Sequence, residues 1–260
     1  GLGDVYKRQI ENVQRTKFEL IDALPADGLA VVNDDFPFAA NRPVDNVEVV
    51  RYAIRDTAGA TVTARDITYD SRGTSFTIAG PDWEMRLHTH LVGECNISNL
   101  MAAVVTARHL GVPDEKIRIA VDHIEQVEHR LNLKRTPGGI TIIDDAFNSN
   151  PTGSAMALDV LASMTGGQRI IITPGMIELG DRQEELNRAF GRKIAECADT
   201  VIVVGHYNRD AILEGIAEGS MAQERVMMAD TFSEAQAMLT SMAKAGDTVL
   251  YENDLPDTFK

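Results

Sequence analysis

From Arg130 onward the chain alternates between short apolar runs and longer helix-like stretches, and this leaves few folds open. The apolar runs fall at residues 140–143, 170–173, 201–204, 226–229 and 248–251. Helix-like segments fill the gaps, at about 153–164, 184–197, 208–217 and 232–243. Strands spaced by helices of this length make βαβ units and a parallel sheet. Right-handed crossovers then bring every strand's C-terminal end to one edge.

Polar and glycine residues gather at those ends: Asp144-Asp145, then Thr173 to Gly180, then Gly205-His206, then Glu252-Asn253-Asp254. In an open parallel sheet, ligands bind outside the strand C-termini. The expectation is a complete Rossmann-like domain with a mainly parallel sheet over residues 129–260, the boundary falling near Gln126 to Arg130.

The first half reads differently. Residues 10–24 are helix-like, and 29–32 form a short buried strand ending in Asn33-Asp34-Asp35. Residues 47–91 are rich in β-branched residues and turns, which predicts antiparallel strands. A long helix from Asn96 stops at Gly111 and Pro113, and a second spans 114–124. No full sheet of its own is evident over residues 10–128, so this half reads as a partial domain. Residues 1–9 (GLGDVYKRQ) do not continue the pattern that follows; they read as a scar or disordered start, and the chain as one shortened at its N-terminus.

Composition narrows the function. The 260 residues are 44% hydrophobic, with no apolar run long enough to cross a membrane, and carry a net charge of −14. Scattered acidity argues against a nucleic-acid partner. Two distant cysteines, Cys95 and Cys197, point to a reducing, cytoplasmic setting rather than a disulfide scaffold. Neither a G-x-x-x-x-G-K-[ST] phosphate loop nor a G-x-G-x-x-G following a strand occurs in the 260 residues.

Several residues are candidates for chemistry. Lys17 stands where the stripe Ile10, Val13, Leu20/Ile21, Leu24 calls for an apolar side chain. Either its stem packs and its ammonium reaches water, or it is a partly buried lysine of lowered pKa. A neutral amine of that kind can add carbon dioxide, and the resulting carbamate is an oxygen ligand for Mg2+. Asp145 suits ribose hydroxyls, because a carboxylate accepts paired O–H bonds; the alternative for Asp144 and Asp145 is a turn cap and a solvated charge. Asn150 before Pro151 suits a helix N-cap. Asn96 and Asn99 either cap the long helix or read an adenine edge. Arg130 either pairs with a phosphate through its fork or is a surface charge. His88 and His90 share a strand face without a third ligand and read as solvent-facing.

Taken together, these residues resemble the Mur ligase family, most closely its MurF type. ENVQRTKFEL over 11–20 resembles the family helix with the carbamylated lysine, which maps onto Lys17. GECNISNLMAA over 93–103 is similar to G-x-H-N-x-x-N-x-x-A-A, whose asparagines (here Asn96 and Asn99) lie near adenine. His129-Arg130 matches the hinge pair, with the arginine near the ATP phosphates. IDDAFNSNP over 143–151 is similar to D-D-S-Y-N-A-N-P, and PGMIELG over 174–180 to G-D-M-x-E-L-G. ENDLPD over 252–257 resembles the ending of the MurF type. Cys95 departs from the family's histidine, Ala146 and Phe147 from Ser-Tyr, and Pro174 from an Asp-containing loop.

The resemblance implies a partial central ATP-binding domain over 10–128 and the family's C-terminal domain over 129–260. It also implies an ATP- and Mg2+-dependent amide ligase of peptidoglycan synthesis, joining D-Ala-D-Ala to UDP-MurNAc-tripeptide through an acyl phosphate. Site residues carried over are Lys17 as catalytic carbamate and metal ligand, Asn96, Asn99, Arg130 and Asp145 for the nucleotide, and Asn148 and Asn150 for substrate. The chain is expected to be a monomer, inactive alone, without membrane insertion, and to gather Lys17, Asn99, Arg130 and Asp145 around one cleft. Alternatives are a folylpolyglutamate synthase-like ligase and a non-catalytic nucleotide- or partner-binding module.

Overall fold

The computed structural model describes residues 2–55, 58–70, 72–147 and 149–254, with 2–10 as backbone only. In chain order come α1 (Leu2–Asp22), β1 (Leu29–Asn33), α2 (Pro37–Ala40), β2 (Glu48–Ala53), β3 (Val62–Asp70), β4 (Gly73–Ala79), β5 (Glu84–Thr89), α3 (Glu94–His109) and α4 (Asp114–Asp122). Then follow β6 (Asn132–Arg135), β7 (Thr141–Asp145), α5 (Pro151–Ser163), β8 (Arg169–Thr173), α6 (Gln183–Cys197), β9 (Thr200–Val204), α7 (Arg209–Ala217), β10 (Val226–Ala229), α8 (Phe232–Met242) and β11 (Thr248–Glu252). The chain divides into two compact units, the main body of the second starting at Ile124.

The first unit has a sheet of its own after all: five strands in the order β1-β2-β3-β4-β5. The antiparallel expectation fails at its start. β2 pairs in parallel with β1, Leu29 opposite Glu48, and in parallel with β3, Tyr52 opposite Val62. Phe76 and Ile78 of β4, and Met85 and Leu87 of β5, alternate into the core, as period-two geometry requires. Ile97, Leu100, Met101, Val104 and Val105 form the buried stripe of α3 at helical spacing.

The expected stripe on α1 is corrected. Val13 is 59% and Leu20 76% exposed, while Phe18 is 7% exposed. The face turned inward carries Gln14, Phe18 and Ile21. Gln14 donates its amide to the Phe38 carbonyl, and Arg42 lies 5.4 Å over the Phe18 ring. Lys17 therefore lies beside the seam and is exposed.

The second unit matches the alternating pattern. Its sheet runs β10-β9-β8-β11-β7-β6. All pairings among β7 to β11 are parallel. Only the edge strand β6, which the pattern did not announce, is antiparallel, with Asn132 opposite Asp144. The chain steps from β7 through β8 and β9 to β10, then returns with β11 to the gap between β7 and β8. A right-handed crossover made in the opposite direction puts its helix on the opposite face. So α5, α6 and α7 pack together on one face, and α8 stands on the other. There Ala235 and Leu239 cover Ile170, Ile172, Ile202 and Val249. Among the described residues no helix is long and apolar enough to cross a membrane.

α6 and α7 cross closely because glycines meet there. A Cβ on Gly215 would run into the Arg188 carbonyl oxygen, and one on Gly191 into the Ile212 carbonyl oxygen. Gly215→Ala should therefore force the helices apart and cost about 1–3 kcal/mol in urea unfolding. Unchanged stability would mean that the helices do not approach this closely.

Candidate functional site

In the second unit the sheet edge concentrates charge at the end of β7. Asp144 and Asp145 are adjacent, so their side chains leave the strand on opposite faces, and each meets a different environment.

Asp144 is buried and accepts from Lys134 Nζ at 2.8 Å, His129 Nδ1 at 3.0 Å and the Ala146 N–H at 3.4 Å. Burial alone would raise its pKa. The Lys134 and His129 hydrogen bonds outweigh burial and hold the carboxyl below its usual range. It faces a cavity of about 570 Å³ that also carries Gly205, Asp230, Thr231, Gln236 and Asn253. The cavity lies beside α8, where that one helix leaves part of the sheet face uncovered. Asn253 donates to the Gly175 carbonyl, but its Oδ1 is buried without a donor.

Asp145 turns the other way. Its Oδ1 accepts the backbone N–H of Leu131 at 2.9 Å. Burial raises its pKa, and nearby Asp144 adds to the rise. The Leu131 N–H, a hydrogen bond from Glu252 and the positive charge of Arg130 oppose it. Glu252 is Asp145's register partner across β7 and β11 and is fully buried. Burial and the Asp145 charge push its pKa up to about 8. Ser149 Oγ donates to Glu252 Oε1 at 2.5 Å and also hydrogen-bonds Ser154 Oγ.

The segment leading into this edge is held in an unusual backbone shape. His129 has φ 58° and Leu131 φ 49°, left-handed values that a bulky leucine rarely adopts. The Asp pair pins both residues, His129 through its side chain and Leu131 through its N–H. Between them Arg130 is exposed and lies 4.6 Å over the ring of Phe147. Phe147 is itself 53% exposed. A carboxylate, a guanidinium and an open aromatic face thus share one rim.

The loop after β8 is fastened from beneath. Asn187 accepts from the Met176 N–H at 2.9 Å and donates to its carbonyl at 3.0 Å, while Asn208 donates to the Pro174 carbonyl at 3.0 Å. Gly175, with φ 81°, admits no Cβ because Asn187 Oδ1 and Ile212 stand too close.

Arg130 and Asp145 therefore come together. Asn150 stands one loop away, and its Oδ1 accepts from the N–H groups of Thr152 and Gly153, which makes it the N-cap of α5. Asn148 lies outside the described residues, as do Leu255, Pro256 and Asp257. Lys17, Asn96 and Asn99 belong to the first unit. α3 begins at Glu94, so Asn96 sits inside its first turn rather than ahead of it, and Asn99 is exposed. Asn33, at the end of β1, reaches α3 through Ser98 Oγ at 2.8 Å. His88 is not merely solvated: its Nδ1 lies 2.8 Å from Asp122 of α4. Sequence reasoning did not single out Lys134, Ser149 or Ser154, and no local signal distinguishes them. Their partners lie across a strand pairing or a loop.

The family profile "Mur ligase middle domain" matches residues 4–107, and "Mur ligase, glutamate ligase domain" matches 129–251. A Bacillus subtilis UDP-N-acetylmuramoyl-tripeptide–D-alanyl-D-alanine ligase is 26% identical over 93% of this chain and 52% of its own length. A Chlorobium phaeobacteroides UDP-N-acetylmuramoylalanine–D-glutamate ligase is 27% identical over 95% of this chain and 53% of its own. The crystal structure of a Thermotoga maritima MurF ligase in complex with ADP superposes with TM-score 0.79 at 19% identity, covering 94% of this chain and 54% of that one. The chain thus spans about half the length of the curated relatives it matches.

Lys134→Ala should destabilise the protein by about 1–2 kcal/mol near neutral pH, since it leaves a buried charge with one partner fewer. A carboxyl of lowered folded pKa contributes stability above its unfolded pKa, and this is lost as pH falls through the folded value. The Lys134→Ala penalty should therefore shrink in acid. An equal penalty in acid and at neutrality, by chemical denaturation, would remove Asp144 as its cause.

Proposed function

We propose that this chain, which belongs to the Mur ligase family, is the middle and C-terminal part of an ATP-dependent amide ligase of the MurF type. The whole protein would join D-Ala-D-Ala to UDP-MurNAc-tripeptide in peptidoglycan synthesis, in the cytoplasm. Residues 10–128 would supply part of the ATP-binding domain, and 129–260 the C-terminal domain. The two family profiles and the names of the curated relatives support this reading. The observation that carries it is the rim on which Arg130, Phe147 and Asp145 meet.

That rim fits a nucleotide. Asp145, with one oxygen on Leu131 N–H, offers its other acceptor positions to ribose hydroxyls. Arg130 offers a guanidinium fork to phosphate, and the Phe147 ring beneath it limits where the fork can point. Asn96 and Asn99 remain the proposed adenine contacts from α3. ATP, when bound, supplies the phosphoryl group that activates a substrate carboxylate. Magnesium fits less well. Among the described residues no three acidic, histidine or cysteine side chains cluster to hold a metal ion. A Lys17 carbamate would be one donor, and the ion would need others from outside the described residues.

The cavity on the other face suits the amine substrate. Lys134 and His129 offer donors to a carboxylate, while Asp230, paired through one oxygen with Arg209, offers its other oxygen to an ammonium group. With its oxygen engaged in the cap, Asn150 has only its amide nitrogen for a substrate role.

The 260-residue chain should bind ADP, and Arg130→Ala and Asp145→Asn should each weaken that binding about ten-fold by titration calorimetry, the scale of one lost charge-assisted contact. With ATP, UDP-MurNAc-tripeptide and D-Ala-D-Ala together, this chain alone should release no phosphate. A protein that also carries the G-x-x-x-x-G-K-[ST] loop should do so only when both substrates are present. Release that needs L-glutamate in place of D-Ala-D-Ala would refute the MurF assignment.

A further inference from the structure

We propose that Glu252 is a positioning residue: as a neutral acid on β11 it donates to Asp145 and holds that carboxylate against Leu131 N–H at the rim. The nucleotide role of Asp145 comes from the reading above, but the geometry of the pair stands by itself.

Asp145 and Glu252 are cross-strand partners at the last rung of the β7–β11 ladder. As register partners with carboxyls close enough to act on each other's ionisation, the two compete for one proton. Two carboxylates cannot bond to each other, since each only accepts; a bond between them needs a proton on one. Burial decides which. Glu252 is 0% exposed, whereas Asp145 is half-buried and accepts a backbone N–H. Glu252 Oε1 already accepts from Ser149. Glu252 Oε2 is buried with no donor facing it. As a carboxylate, Glu252 would leave that oxygen unsatisfied beside a second negative charge. As an acid, Glu252 can carry the proton on that oxygen and donate it to Asp145.

Among the described residues no cation acts on Glu252, and the charge of Asp145 on β7 pushes its pKa further up. Arg130 and Asp144 act on Asp145 rather than on Glu252. β8, on the other flank, ends in Thr173. α5 presents Ser154, and its single acidic residue, Asp159, is paired with Lys193 further along the helix. The pair therefore carries one negative charge below the pH at which Glu252 ionises and two above it. The second charge repels Asp145 from its place and adds a negative charge near any bound phosphate. A buried acid of raised pKa favours the folded arrangement most in acid, and this contribution falls as pH rises through its folded value, here about 8.

The backbone amide of Leu131 reports where Asp145 lies, without any ligand. In 15N-leucine-labelled protein its shift should titrate on the alkaline side in the wild type. Glu252→Gln keeps a donor but cannot ionise, and should abolish that titration while leaving the neutral-pH shift in place. Glu252→Ala removes the donor and should displace the Leu131 signal at every pH. An alkaline Leu131 titration that persists unchanged in Glu252→Gln would overturn the proposal, as would a Glu252→Ala signal coincident with the wild type.

ADP affinity, measured on the same samples, should fall about ten-fold from pH 7 to pH 9.5 in the wild type and stay level in Glu252→Gln, roughly the effect of one charge. If no variant binds ADP while the Leu131 signal behaves as stated, the positioning role of Glu252 stands and the nucleotide reading of Asp145 falls.

Discussion

Two neighbouring carboxylates at the end of β7 organise the second unit. Strand geometry sends Asp144 and Asp145 to opposite faces, so a single dipeptide serves both sides of the sheet. One side answers with hydrogen bonds to Lys134 and His129. The other answers with a proton on Glu252 and a backbone N–H. Both solutions also fix the left-handed turn at His129 and Leu131, and this turn sets Arg130 over Phe147. Without the carboxylates His129 and Leu131 would lose these anchors, leaving the turn to the Arg130 N–H on the Val127 carbonyl and the Gln126–Leu133 bridge, and the rim would lose its acid.

Much of the second unit was legible in the sequence because parallel sheets buried on both faces demand continuous apolar runs. Val226–Ala229 matches its expected bounds, three other runs gain one residue at one end, and the run expected over 140–143 is observed as Thr141–Asp145. The Asn150 cap was legible too, since Asn before Pro at a helix start has a local cause. The failures share a different cause. On α1 the apolar residues Val13 and Leu20 face out, and the seam is set by Phe18, because what lies beneath the helix, α2 and Arg42, is distant in sequence. The parallel pairing of β1, β2 and β3 depends on non-local register, which β-branched composition does not encode. Glu252 looked like a polar strand end. Its burial and its pairing with Asp145, 107 residues earlier, appear only once β11 is seen between β7 and β8.

The two units stand differently toward function. The first offers a helix start bearing Asn96 and Asn99 and an exposed Lys17, each consistent with the family's middle domain. The second offers a rim and a cavity built from buried, mutually bonded groups. The clearest departure from the family pattern in the acidic motif, Phe147 in place of tyrosine, falls on that rim, and the ring is used there as a flat support for Arg130.

The most direct test is an amide chemical-shift map of this chain upon addition of ADP. The account predicts that, in the second unit, perturbations centre on Arg130, Leu131, Asp145 and Phe147. A map that leaves these residues untouched while ADP binds elsewhere in that unit would contradict it.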